Sequence, residues 1–156
     1  ALGDALAVAL MERRDFKPED FKVLHPGGNL GLQMLTVSQL MRNKTEMAIV
    51  KDDLTMSAVV SCMTQSGFGV AILVDEHGIL SGIITDGDLR RNINDILSLS
   101  PRDIATLNPT SVHPTDLVSV ALEKMEKSKV YAIVVIEDDK PIGLLRMHDV
   151  LRSGIK

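Results

Sequence analysis

The sequence predicts a mixed α/β fold: two α-β-β-α repeats behind a helical N-terminal segment. Three observations carry this prediction. Residues 61 positions apart match beyond residue 36: Ala71 with Ala132, Ile72 with Ile133, Val74 with Val135, Gly82 with Gly143, Asp88 with Asp149. Each copy holds an unbroken aliphatic run, Val70-Ala71-Ile72-Leu73-Val74 or Tyr131-Ala132-Ile133-Val134-Val135-Ile136, which reads as a buried strand. Each run follows a helix-period pattern and leads, through a polar turn, to a second apolar run.

In order along the chain, Leu2, Leu6, Ala9 and Leu10 share one face of an amphipathic helix over residues 1–14. Pro18 opens a short helical turn, and His25-Pro26-Gly27-Gly28-Asn29-Leu30-Gly31 forms a tight loop. An isolated helix of this size is marginal in water, so the segment is expected to pack on other structure. In the first repeat Thr55 is a suitable N-cap for a helix with Met56, Val59, Val60 and Met63; in the second, Asp116 is expected to cap Leu117, Val120, Ala121 and Met125. The turns are Asp75-Glu76-His77-Gly78 and Glu137-Asp138-Asp139-Lys140, and the second strands run from Ile79 to Thr85 and from Ile142 to Arg146. Closing helices start near Asp86 and His148. The expected divisions are 1–35, 36–97 and 98–156.

Composition narrows the function. The 156 residues are 45% hydrophobic and 24% charged, an ordinary globular balance. A net charge of −4 lacks the basic footprint that a phosphate backbone requires. Aromatics are 3%, namely Phe16, Phe21, Phe68 and Tyr131, too few for a single-strand stacking platform. Nucleic acid is therefore not an expected partner, and a nucleotide base bound here is expected to rest on aliphatic side chains and backbone. No apolar run approaches the roughly 18 residues of a membrane span. Cys62 stands alone, which excludes an internal disulfide and suits a reducing cytoplasm. The chain begins with Ala1 rather than Met, and a piece of a longer protein is expected.

The second strand of the first repeat ends Gly82-Ile83-Ile84-Thr85-Asp86-Gly87-Asp88, and that of the second ends Gly143-Leu144-Leu145-Arg146-Met147-His148-Asp149. Both resemble the Gly-x-(Ile/Val)-(Thr/Ser)-x-x-Asp pattern of CBS domains (cystathionine-β-synthase-type modules). The resemblance implies a tandem CBS pair in pseudo-twofold arrangement over residues 36–156. The segments Ala1-Leu2-Gly3-Asp4-Ala5-Leu6-Ala7 and His25-Pro26-Gly27-Gly28-Asn29-Leu30-Gly31 look like the end of a sugar isomerase (SIS) domain. Together with Thr85 to Arg91 and Met147 to Leu151, they are similar to the D-arabinose 5-phosphate isomerase family. That family interconverts D-ribulose 5-phosphate and D-arabinose 5-phosphate for the synthesis of Kdo and surface polysaccharide. The resemblance implies no metal or organic cofactor for that step.

In such modules the hydroxyl of Thr85 would meet a ligand phosphate and Asp88 would accept from ribose hydroxyls. A strand end beside a helix N-terminus favours an anion, and a carboxylate is an acceptor-only group suited to a vicinal diol. The alternative is that Thr85 and Asp88 only cap the following helix. Arg146 replaces the hydroxyl in the second copy, where it either grips a phosphate bidentately or pairs with an acid; Asp149 is kept. The expected ligand is an adenine or cytidine nucleotide or a sugar nucleotide, acting in regulation. The resemblance assigns His25 to the isomerase active site, where a base must move a proton between C1 and C2; a backbone-bonded loop histidine is the alternative. His77, His113 and His148 have no metal-ligand spacing, so no metal is expected. Cys62 and the methionines at 56, 63 and 125 read as packing. Self-association through CBS pairs is expected, and a non-catalytic dimerisation scaffold with degenerate ligand sites is the competing reading.

Overall fold

The computed structural model describes residues 34–153; the helix expected at 1–14, the glycine-rich loop and His25 lie outside them. The chain folds as α1 (Val37–Leu40), β1 (Arg42–Asn43), a 3-10 turn (Lys44–Glu46), β2 (Ala48–Lys51), α2 (Met56–Ser66), β3 (Val70–Val74), β4 (Leu80–Thr85) and α3 (Asp86–Arg91). The second half repeats the order: α4 (Pro101–Ile104), β5 (Thr106–Leu107), β6 (Ser111–Val112), α5 (Val118–Ser128), β7 (Ala132–Glu137), β8 (Lys140–Arg146) and α6 (Met147–Arg152). No helix among the described residues is long and apolar enough to cross a membrane.

The expected hairpins β3–β4 and β7–β8 form, antiparallel. Each hairpin is widened by a parallel strand reached through a helix, β2 beside β3 and β6 beside β7, because parallel neighbours require a crossover rather than a turn. The fourth strand of each sheet comes from the other half of the chain. The orders are β2-β3-β4-β5 and β1-β8-β7-β6, so β1 completes the sheet of the second repeat and β5 that of the first. The short helices cross with them: Val37 of α1 packs with Val112, Val118 and Leu145, while Ile104 of α4 packs with Met56, Val59 and Ile84. The two sheets meet face to face through Val70, Ile72, Ile83, Val134 and Leu144.

The exchange explains the motif glycines. A Cβ on Gly82 would lie 3.3 Å from the carbonyl oxygen of Thr106 in β5, and one on Gly143 would lie 2.9 Å from that of Arg42 in β1. A bare backbone at these positions lets the incoming strand pair closely.

Burial corrects the spacing of the repeat. Met56, Val59 and Met63 are buried on α2, and their counterparts on α5 are Val118, Ala121 and Met125. Those pairs are 62 positions apart, not 61. The 61-residue spacing resumes at Gly82 and Gly143, because eight residues separate Leu73 from Gly82 and only seven separate Val135 from Gly143. The second hairpin turns more tightly, with Asp138 at φ 49° and Asp139 at φ 61°, the positive pair required by a two-residue turn. In a strand a one-residue offset changes faces, so Ile72 corresponds to Val134 rather than Ile133.

The capping expectation also divides. Thr55 does cap α2, its Oγ1 accepting from Ala58 N at 3.4 Å. Asp116 does not cap α5: Leu117 holds that position, and the Asp116 Oδ2 accepts from His113 N at 2.9 Å within the preceding turn. Leu117 and Val120 are consequently 42% and 39% exposed. Val59→Ala should therefore cost about 2 kcal/mol for two buried methyl groups, whereas Val120→Ala should stay within about 0.5 kcal/mol. Urea denaturation of the two variants checks this; equal losses would restore the 61-residue alignment.

Methionines 56, 63 and 125 are core residues as expected, and Cys62 is half-buried beside the first core.

Candidate functional site

The two repeats place their motif residues at equivalent points of the fold. Thr85 ends β4 opposite Val70, and Arg146 ends β8 opposite Ala132. Just beyond, Asp86 N donates to the Gly69 carbonyl at 3.0 Å, and Met147 N donates to the Tyr131 carbonyl at 2.8 Å. Gly69 thus corresponds to Tyr131, and Phe68 to Val130.

In the first repeat both the amide and the hydroxyl of Thr85 donate to Asp88 Oδ2, at 2.8 and 2.7 Å. The Arg91 guanidinium pairs with Asp88 Oδ1. Asp88 is buried, whereas the Arg91 side chain is 70% exposed. The helix-capping role weighed for Thr85 and Asp88 is therefore present in the geometry. Of the partners of Asp88, the Arg91 side chain is the one that lies mostly in solvent.

These residues face a cleft of about 960 Å³, within the usual range for small-molecule sites. Its far side comes from the second half of the chain, through Thr106, Asn108, Lys129 and Tyr131. Arg90, Arg91, Lys129 and Arg146 line it with Asp86 and Asp88; with Arg91 paired to Asp88 and Arg146 to Asp149, Arg90 and Lys129 leave a cationic excess over Asp86 that favours an anion. Phe68 and Tyr131 also line it. The lining is thus not purely aliphatic: although the chain is aromatic-poor, two of its four aromatic residues lie here, and Tyr131 is 82% exposed.

The second repeat is built differently. Arg146 pairs with an acid: Nε donates to Asp149 Oδ2 at 2.7 Å and an Nη to Oδ1 at 3.0 Å, a bidentate fork. Arg42 of β1 donates to the same Oδ1 at 2.9 Å. The Arg146 guanidinium lies 4.3 Å from the centre of the Phe68 ring, within cation–π range. The Arg146 hydrogen bond is the main cause holding the Asp149 carboxyl at about 2; burial opposes it and Arg42 adds to it. Arg42 and Phe68 were not singled out from the sequence. The signal available for Phe68 was its place just before β3, beside a glycine, where the other repeat has Val130 and Tyr131.

Comparison with known proteins places this geometry. The chain aligns over 99% of its length, at 41% identity, with arabinose 5-phosphate isomerase KdsD of Pseudomonas aeruginosa, of which it covers 49%; it spans about half the length of the curated relatives it matches. Two solved structures share the fold at 21% identity. One is CBSX2 in complex with AMP, with a TM-score of 0.67 over 76% of this chain and 94% of the other. The other is the CBS domain pair of MJ0100 in complex with 5′-methylthioadenosine and S-adenosylmethionine, with a TM-score of 0.70 over the same shares. The CBS domain family matches residues 37–95 and 102–156. Sheet, hairpin and motif thus recur in both matched segments, and the chain belongs to the CBS domain family, of which it carries a tandem pair.

Proposed function

We propose that the chain is the regulatory part of an aldose–ketose isomerase interconverting D-ribulose 5-phosphate and D-arabinose 5-phosphate for Kdo and surface polysaccharide synthesis, and that its CBS pair binds a nucleotide or sugar nucleotide at Thr85 and Asp88. The observation that carries the binding reading is the cationic cleft over the Thr85–Asp88 pair. Ribose hydroxyls would replace Arg91 on Asp88, and the phosphate would take the hydroxyl of Thr85 and the Arg91 guanidinium so freed. The printed ligands of the two structural neighbours are adenosine compounds, and the isomerase reading rests on the likeness to KdsD. In that reading residues 1–35 close a sugar isomerase domain and His25 handles the proton moved between C1 and C2. Binding would then bias how subunits associate in a cytoplasmic homo-oligomer. The exposed Ile93, Leu97 and Leu151 side chains supply apolar surface for that association.

Calorimetric titration with AMP, ATP, CMP and CMP-Kdo tests the site. At least one should bind below millimolar, and Asp88→Ala should weaken it at least tenfold, or about 1.4 kcal/mol. No binding, or binding unchanged in the variant, rejects the reading. The pairing of Arg146 with Asp149 favours the competing reading, a dimerisation scaffold, for the second site. An oligomeric state unaffected by every nucleotide would extend it to the whole chain.

A further inference from the structure

The second motif position is occupied from within. We infer that the Arg146 guanidinium is a tethered ligand of the Asp149 position, closing that site and leaving the pair with one open site instead of two. A planar cation stacked on Phe68 and forked onto a buried carboxylate supplies what a bound molecule would supply there: a flat surface for the ring and donors for both carboxylate oxygens.

The asymmetry is chemical. At the open site Asp88 is met by a short hydroxyl and by an arginine whose side chain is 70% exposed, so a ligand can displace one partner. At the closed site the Arg146 side chain is 21% exposed, and Arg42 adds a second guanidinium. The equivalents of Phe68 and Gly69 are Val130 and Tyr131, so the stacking ring sits on the closed side while the open side keeps a solvent-exposed phenol. The closure also fastens the halves together. Phe68 precedes β3 of the first sheet, Arg146 ends β8 of the second and Asp149 follows it, and Arg42 enters on the exchanged strand β1.

Two measurements test this. Arg146→Ala should melt several degrees below the wild type, and millimolar methylguanidinium should restore at least half of the loss, saturably. Methylammonium at equal ionic strength should not, and neither the wild type nor Arg146→Ala combined with Phe68→Ala should respond. No rescue, or equal stabilisation of the wild type, overturns the inference. Should Arg146→Ala not fold, Arg146→Lys decides. It keeps the charge but can neither fork across two oxygens nor stack flat, so it should melt below the wild type; an equal melting temperature overturns the inference. The count of open sites rests on the binding reading proposed above and is read with AMP: one per chain in the wild type and two in Arg146→Thr. Two sites in the wild type overturn the inference and leave nucleotide binding standing. No binding to either protein rejects nucleotide binding, while the guanidinium rescue still decides the role of Arg146.

Discussion

Asp149→Ala is expected to destabilise the protein by about 3 kcal/mol, lowering the melting temperature by roughly 10 °C. The carboxylate is buried and answers two guanidinium groups, Arg146 and Arg42. Removing it leaves a mostly buried Arg146 facing another cation without a counter-charge, and an uncompensated buried charge is costlier than the pair itself is stabilising. The equivalent change in the first repeat sets the scale. Asp88→Ala removes a helix-capping interaction and an ion pair with an exposed arginine, so about 1 kcal/mol is expected. Asp149→Asn should fall between Asp88→Ala and Asp149→Ala, since an amide oxygen still accepts from one arginine while its NH2 meets the other. Equal losses for Asp149→Ala and Asp88→Ala would show that the second cluster is not a buried ionic junction.

The same carboxylate gives the stability a direction with pH. Folding holds Asp149 at about 2, below the unfolded carboxylate range. Its contribution is therefore complete above about pH 4 and is lost as the pH falls through the folded value near 2. The size is on the order of 2 kcal/mol. Asp75, held low chiefly by the Ile79 amide, and Asp103, held low chiefly by the Ser100 hydroxyl, act in the same sense. Asp149→Asn should flatten the acid limb between pH 4 and 2, and an unchanged limb would contradict the assignment.

What the sequence made legible follows interaction range. Aliphatic runs and helix periods report local burial, and they located both hairpins, the N-cap of α2 and the core methionines. The positions of Thr85 and Arg146 at strand ends, and of Asp88 and Asp149 in the first turn of the helices that follow, come from the same local pattern. Strands β1, β5 and β6 are two residues each, too short to show a period. That β1 and β5 join the opposite sheet is a long-range fact with no local signature. Alignment by residue identity favoured Ala71 over Ala132, but packing faces favour Ala71 over Ile133, since both of the latter point into their own module's core. The junction at Asp149 draws on residues 42, 68, 146 and 149, and only its acid and one arginine belong to a motif. Phe68 carries no local signal for its role, because its partner Arg146 is 78 positions away.

Gly143→Ala tests whether the exchanged strand holds that junction in place, and about 2–3 kcal/mol of destabilisation is expected from the steric conflict. A Cβ there would lie 2.6 Å from the Met41 sulfur and 2.9 Å from the Arg42 carbonyl oxygen. The sulfur is the flexible part and can move. The carbonyl belongs to β1, which pairs with β8 at Asn43 opposite Gly143 and Arg42 opposite Leu144, so relief requires the strand to shift. Gly82→Ala is the milder control: its new Cβ would stand 3.2 Å from the Ala105 Cβ and 3.3 Å from the Thr106 carbonyl oxygen, distances that a few tenths of an ångström relieve, at a cost of about 1 kcal/mol. The Gly143 change should also reach the ion pair, because displacing β1 draws Arg42 away from Asp149. Gly143→Ala and Arg42→Ala should therefore be non-additive, the double variant losing less than the sum of the single losses by at least about 0.5 kcal/mol. Gly82→Ala and Arg42→Ala lie on different sheets and should add. If both glycine changes cost the same, or if Gly143→Ala and Arg42→Ala simply add, then β1 packs on the second sheet without positioning Arg42, and the closed site depends on Arg146 and Phe68 alone.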